Sequence, residues 1–295
     1  MREYDFVTVD VFTDRRFGGN QLAVFPDARG LSDAEMQSFA AEFNLSETTF
    51  VLPPSDPAHT ARVRIFNRTA EMPFAGHPNV GTGYVLAQQG RDKDGVLLFE
   101  EIAGLVEIRI DRSGGAVSGA TIAAPQPLSL GLKLPPETIA RCAGLDTADV
   151  LTGAHPPVVA TVGNPFVLAE VAPAALSRAI PDLAAFRTAI AGLPELKGRM
   201  SIYLYARDSA AKIRARMFAP LAGTVEDPAT GSAATPLAAL LLSFGKEQSA
   251  SFEITQGVEM GRPSLLRVAA RRTADGIRAT VGGGCVPVLR GKAMV

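Results

Sequence analysis

The chain opens on an alternating pattern in which Phe6, Val7, Val9, Val11 and Phe12 are apolar around polar Thr8 and Asp10. A period near two predicts a strand with at least one buried face. A Gly-Gly-Asn turn at 18–20 leads into the apolar run LAVF at 22–25. The period then changes: in SDAEMQSFAAEFN (32–44) Met36, Phe39, Ala40 and Phe43 share one helical face, with Ser32 a natural N-cap and Glu35 completing a capping box. Apolar runs at 47–52, 61–66, 96–102 and 105–110 predict further strands, and a second helix is expected to begin near His77. Later residues repeat this texture, with strands expected at 158–163, 166–171, 201–206 and 213–218, a helix from about Pro228, and strands near 251–256, 264–269 and 277–281. Between these halves, GATIAAPQPLSLGLKLPP (119–136) is rich in Pro and Gly and has no clear period, which is expected of a boundary.

The repetition extends to particular residues. RIFNRTAEMPFAGHPNVGTGYVLA (64–87) aligns with RMFAPLAGTVEDPATGSAATPLAALL (216–241) as a strand ending Arg-apolar-Phe, a loop, His/Asp-Pro-x-x-Gly-Thr/Ser and an apolar helix. His77 pairs with Asp227 at an offset of 227 − 77 = 150, and Gly81 pairs with Gly231 at the same offset. GNQLAV (19–24) echoes GNPFVL (163–168) at an offset of 144. Shared order with nearly shared offset predicts two halves of similar fold. In both copies a polar residue precedes proline, which suits the first helical position, so His77 and Asp227 are expected as N-caps. The free N–H groups of such helix starts favour an anion, and Gly76, Gly81, Gly231 and Ser232 allow close backbone approach.

Composition narrows the function. The 295 residues carry 29 Lys plus Arg against 30 Asp plus Glu, and no run of one sign, which argues against a nucleic-acid partner. The N-terminus has acidic residues in its first ten positions and reads as no secretory signal, and PLAALLLSF (236–244) is far shorter than the roughly 20 residues a membrane span needs, so a cytoplasmic protein is expected. Two cysteines and three scattered histidines offer almost no material for a metal site. No GxGxxG follows a strand and no P-loop occurs, which leaves nucleotide cofactors without support.

The candidates for chemistry are few. Glu47, at the start of an apolar strand in NLSETTF, reads either as a strand-edge carboxylate or as an acid/base. His77 and Asp227 pair a potential base with a potential acid at matched positions. Glu71 and Glu226 read as loop surface charges, Cys142 as a small buried residue in a helical pattern, and Cys285, after GGG at 282–284, as lying in a tight turn. Arg262 either binds a carboxylate or pins a turn, and the turn is preferred.

In order and spacing, DVFTDRRFGGNQLAVF (10–25), NLSETTFV (44–51), EMPFAGHPNVGTG (71–83), RMFAPLAGTVEDPATGSAA (216–234) and QGVEMGRPS (256–264) resemble the PhzF-like family of phenazine-biosynthesis isomerases. The match covers essentially the whole chain. It departs at FNRTAE (66–71), where relatives commonly have Thr-Pro after the Phe.

The resemblance implies an α/β (α+β) protein of diaminopimelate-epimerase-like fold: two pseudo-symmetric halves, each a curved, barrel-like sheet around a central helix, with the active site between them. The halves are expected at residues 1–124, completed by about 285–295, and at 125–284. The family's acid/base glutamate falls on Glu47, and its substrate contacts fall on Gly76, His77, Asp227, Gly231 and Ser232. It also implies a homodimer, no metal and no organic cofactor. The expected activity is an isomerase that moves a proton on a small carboxylate-bearing substrate resembling dihydrohydroxyanthranilate, provided the pKa of Glu47 is lifted toward working pH. Two rivals share the fold: a cofactor-independent epimerase or racemase using paired thiols, which the positions of Cys142 and Cys285 disfavour, and a small-molecule-binding or regulatory protein without turnover.

Overall fold

Strand β1 (Glu3–Val11) realises the opening alternation and pairs antiparallel with β2 (Asn20–Phe25). Helix α1 (Asp33–Phe43) follows, and the capping box forms as expected: Ser32 Oγ accepts from Glu35 N–H while the Glu35 carboxylate accepts from Ser32 N–H. Next come β3 (Glu47–Leu52), parallel to β2, β4 (Ala61–Phe66), antiparallel to β3, and the short β5 (Glu71–Met72). Helix α2 (Gly76–Gln88) leads to β6 (Val96–Glu101), parallel to β4, and then to β7 (Gly104–Ser113) and β8 (Ala116–Ala123) as antiparallel neighbours.

The second half runs β9 (Ser129–Lys133), α3 (Pro136–Ala143), β10 (Val150–Leu151), β11 (Val158–Thr161), β12 (Pro165–Val171), α4 (Pro173–Leu176), α5 (Leu183–Ala191), β13 (Ile202–Arg207), β14 (Lys212–Ala219), β15 (Thr224–Asp227), α6 (Gly231–Ser243), β16 (Ser249–Gln256), β17 (Ser264–Thr273) and β18 (Gly276–Met294). Its pairing repeats the first half: β13 is parallel to β12, β14 antiparallel to β13, β16 parallel to β14, and β17 antiparallel to β16. The segment read as a boundary therefore contains the end of β8 and all of β9.

The structure, a computed structural model, describes residues 1–196 and 198–295 and divides into two units: Met1–Ala123 with Val281–Val295, and Ala124–Thr280. In the first unit, β18 pairs with both β1 and β8, so the sheet closes on itself around α2. Helix α2 is buried at every position from Gly76 to Ala87. An amphipathic stripe is absent because there is wall on all sides. Gly81 and Gly83 permit this fit, since a Cβ at Gly81 would lie 2.6 Å from Leu22 and one at Gly83 2.6 Å from Ile108. The outer face of the same sheet carries a second core, where Phe25, Phe50 and Phe66 pack with Met36 and Ala40 of α1, flanked by Phe39 and Phe43. In the second unit α6 is likewise buried along nearly its whole length, while α3 and α5 cover a core that includes Phe186, Ile202, Leu204 and Phe218. Among the described residues no helix is long and apolar enough to cross a membrane.

Two readings of the sequence change here. The glycines at 282–284 form no tight turn: they lie inside β18, where the strands come so close that a Cβ at Gly119 would sit 2.0 Å from Gly283 O and one at Gly282 2.1 Å from Thr121 Oγ1. Glu226 is not a surface charge but the partner of the buried Arg216, whose Nε and Nη2 donate to it at 2.8 and 2.9 Å. Glu71 holds Arg64 in the same way, and each arginine lies over the phenylalanine two residues on, at 5.1 Å for Arg64–Phe66 and 4.9 Å for Arg216–Phe218. The Arg-apolar-Phe echo is thus one arginine–glutamate–aromatic arrangement used twice.

Candidate active site

Helices α2 and α6 begin elsewhere than the His-Pro and Asp-Pro pairs suggest. The N-caps are Ala75 and Thr230, with neither side chain making a capping bond, and the first helical residues are Gly76 and Gly231. His77 is consequently the second residue of α2, and Asp227 ends β15, four residues before α6. Both helices span thirteen residues, so the structural match is Gly76 with Gly231 and His77 with Ser232, at 231 − 76 = 155 rather than 150. Pro78 fits in the first turn of α2, where no N–H has an acceptor within the helix, whereas Pro228 lies two residues before the N-cap of α6, in the loop. The pattern X-Pro thus marks a helix start without fixing the cap.

In the first unit the structure brings Glu47, Gly76 and His77 together. Glu47 is the first residue of β3, and His77 Nε2 lies 3.4 Å from Glu47 Oε2 and 3.3 Å from Gln21 O. The His77 side chain is 7 % exposed and that of Glu47 16 %. Burial pushes the imidazole down to about 3, against a smaller opposing effect of the Gln21 carbonyl. His77 is therefore neutral at pH 7, and its contact with Glu47 is a neutral ring facing a carboxylate. Since Nε2 faces two acceptors it carries the ring proton, which leaves Nδ1 with its lone pair. A buried hydroxyl pair, Thr49 Oγ1 to Thr82 Oγ1 at 2.8 Å, ties β3 to α2 and so fixes Glu47 against His77.

In the second unit Asp227, Gly231 and Ser232 share the approach to α6. Asp227 is buried, and Thr230 Oγ1 donates to its Oδ2 at 2.5 Å. Gln256, Tyr203 and Ser264 brace the same loop. The sequence gives no assignment for Tyr203 or Gln256, although Gln256 opens the QGVEMGRPS motif.

A family model described as phenazine biosynthesis-like protein matches residues 9–291. The trans-2,3-dihydro-3-hydroxyanthranilate isomerase of Pseudomonas chlororaphis is 38 % identical over 292 residues, covering 98 % of each chain. The chain belongs to the phenazine biosynthesis-like family. It is an isomerase of that family, as its named isomerase relatives show. The crystal structure of a PhzF-family phenazine biosynthesis protein from Bacillus anthracis superposes with a TM-score of 0.87 at 24 % identity over 100 % of both chains. A hydroxyproline epimerase from Agrobacterium vitis gives 0.64 at 12 % identity, covering 99 % of this chain and 92 % of that one. The fold is the diaminopimelate-epimerase-like one these structures share. In this family member neither cysteine stands at a helix start: Cys142 is buried in α3, where burial pushes its thiol up to about 11, and Cys285 is buried in β18.

One buried group near α2 makes a separate prediction. Both carboxyl oxygens of Glu101 and Oδ1 of Asn79, in the first turn of α2, are buried without a hydrogen-bond partner among the described residues. Burial pushes Glu101 up to about 8, against a smaller opposing pull from the Asn79 amide. The folded chain then keeps a proton that the unfolded chain has released, so stability is full below about 4.5, falls as pH rises toward about 8, and levels beyond. Glu101→Gln, neutral at every pH, is expected to raise Tm at pH 8.5 and to change it little at pH 4 in scanning calorimetry. A Tm difference that is the same at both pH values counts against a titrating Glu101.

Proposed function

We propose that this isomerase moves a proton between carbons of a small carboxylate-bearing substrate of the dihydrohydroxyanthranilate type, with Glu47 as the group that carries it. The observation that supports this most directly is the Glu47–His77 pair, a carboxylate held 3.4 Å from a neutral, buried imidazole. In the first step Glu47 takes a proton from a carbon of the substrate, and the electron pair of that C–H bond moves into the conjugated system. In the second, Glu47 returns the proton to another carbon, which completes the isomerisation without net change in atoms. The Nε2–H of His77 orients the carboxylate, and its bare Nδ1 is an acceptor for a substrate hydroxyl or amino proton.

In the same reading Gly76, Asp227, Gly231 and Ser232 are substrate-binding residues. N–H groups at the start of α6 hold the substrate carboxylate, as helix N-termini favour anions. The relative from Pseudomonas chlororaphis, named for its action on trans-2,3-dihydro-3-hydroxyanthranilate, suggests where to begin the search for a substrate. The test is NMR in heavy water with that compound and a panel of small amino and cyclic carboxylic acids. Deuterium uptake or isomerisation that depends on Glu47 is expected. Exchange that persists unchanged without the Glu47 carboxylate overturns the assignment.

A further inference from the structure

The first unit has a second concave region, at the end of α2 away from Glu47 and His77. Along β1, the residues Val11, Val9, Val7 and Asp5 lie opposite Cys285, Pro287, Arg290 and Lys292 of β18. Near the start of α2 this wall packs on the helix: a Cβ at Gly81 would lie 2.8 Å from Val11 Cγ2 and 3.2 Å from Val9 Cγ2. Toward the other end the wall runs past the helix, whose last residue is Gln88, and its side chains change from apolar to charged. A cavity of about 580 Å³ is left there, floored by Val7, Pro26, Tyr84, Val85 and Pro287. That volume lies within the roughly 300–1,000 Å³ usual for small-molecule sites, and a mostly apolar lining with a few polar groups is their usual make-up.

The charges at the rim are not equally satisfied. Lys292 lies directly opposite Asp5, and its Nζ donates to Glu3 at 2.8 Å. Arg290 lies opposite Val7 instead, and its guanidinium makes no hydrogen bond or ion pair among the described residues. A register shift between Thr8 and Val9 separates this stretch of β1 and β18 from the part that packs on α2. Such irregularities occur at barrel rims and beside sites, where they re-aim side chains. Tyr84 is only 6 % exposed yet lines the cavity. Burial raises its phenol above the ordinary range, while the Gln88 amide and the Arg290 guanidinium pull the other way, so both stand near the hydroxyl.

We infer that this cavity is a second small-molecule site that takes an apolar or aromatic monocarboxylate. The carboxylate pairs with Arg290 and accepts from the Tyr84 hydroxyl, and the carbon skeleton rests on Val7, Val85 and Pro287. The planar fork of an arginine matches a carboxylate with two parallel N–H bonds. One free guanidinium above an apolar floor suits a single negative charge, and a second charge on the ligand would face Asp5. The site is separate from the proton-transferring pair: Gln88 lies 88 − 77 = 11 residues beyond His77, about 16 Å along the helix axis.

Fluorescence titration with 1-naphthoate tests this on the intact protein, which contains no Trp to interfere. The neutral comparison is 1-naphthalenemethanol. The wild type is expected to bind the carboxylate about tenfold more tightly or better, the range for hydrogen bonds to charged groups. Arg290→Met, which keeps an apolar stem, should erase that preference, and Arg290→Lys, which keeps the charge without the fork, should retain only part of it. Tyr84→Phe should weaken the carboxylate about two- to tenfold. Glu47→Gln should leave both affinities unchanged. Should Arg290→Met fail to fold, NMR of the labelled wild type decides: naphthoate is expected to shift the amide signals of Val85, Gln88 and Gln89 more than those of Gly76 and His77. The inference is overturned if the wild type binds neither probe or shows no preference, or if a folded Arg290→Met keeps the wild-type ratio. Binding lost with Glu47→Gln, or shifts confined to the start of α2, overturns it too, because the acid then occupies the other end of the helix. Proton exchange plays no part in these readings, so failure of the isomerase mechanism and failure of this site are told apart.

Discussion

Glu47→Gln is expected to lower kcat on a confirmed substrate by about 10²–10⁴-fold, the contribution usual for a positioned acid/base. The change keeps the size of the side chain, and His77 keeps its hydrogen bond to the Gln21 carbonyl, so the local fold should survive. What is lost is the ability to take and return a proton. KM should therefore change little, and Tm should stay near that of the wild type. Steady-state kinetics separates the alternatives: a raised KM with kcat intact would make Glu47 a binding group, and unchanged values of both would remove it from the mechanism. The same variant in heavy water should show no deuterium uptake above the rate without enzyme.

How much of this was legible in the sequence varies with the range of the interaction. Patterns confined to a few neighbouring residues read well: the capping box at Ser32 and Glu35, and strands 47–52 and 61–66, appear where periodicity puts them. The helix starts read less well, because Pro is accepted both inside a first turn, as at Pro78, and in the loop before a cap, as at Pro228, and so leaves the cap undetermined by several residues. Glu226 looks like a surface charge in the sequence for a different reason. Its partner Arg216 lies ten residues away on the neighbouring strand, and nothing in the local pattern of a loop reveals that a buried cation awaits it. The same holds for Gln256 and Tyr203, whose partners lie 26 and 53 residues off. The family resemblance could mark the QG and RPS positions but could not say that they brace the loop carrying Asp227. The glycines at 282–284 suggest a turn because glycine is most often seen there, whereas here they serve strands in close approach.

Arg216→Met should destabilise the protein by about 3–5 kcal/mol, while the corresponding Arg64→Met should cost only about 1 kcal/mol. The two arginines occupy equivalent strand positions, each over a phenylalanine and beside a glutamate, so the contrast isolates burial. Arg216 is 7 % exposed in its side chain, and its Nη1 also donates to the carbonyls of Leu176 at 3.1 Å and Ala179 at 2.7 Å. Its loss strands Glu226, itself only 14 % exposed, together with both carbonyls. Arg64 pairs with Glu71 and with Asp33, a largely exposed carboxylate that water can serve once the arginine is gone. Urea unfolding of the two variants checks the difference. Adding Glu226→Gln to Arg216→Met should recover part of the loss, because the carboxylate without a partner is then removed. Equal costs for the two arginines would mean that the stacking on phenylalanine, common to both, outweighs the buried ion pair.

The closing of the first unit's sheet by β18 has a consequence for how the protein is made. Residues 285–294 pair with β1 and complete the ring around α2, yet the ribosome delivers them only after the whole of unit 2. At about 5–20 residues per second, the nascent β1 edge and the apolar surface meant for α2 wait on the order of ten seconds or more for their last neighbour. Unit 2, continuous in the chain, needs no such delay. During synthesis the first-made half is thus the last to be finished, and the interval in which it presents an open strand edge is when a holding chaperone would have most to protect.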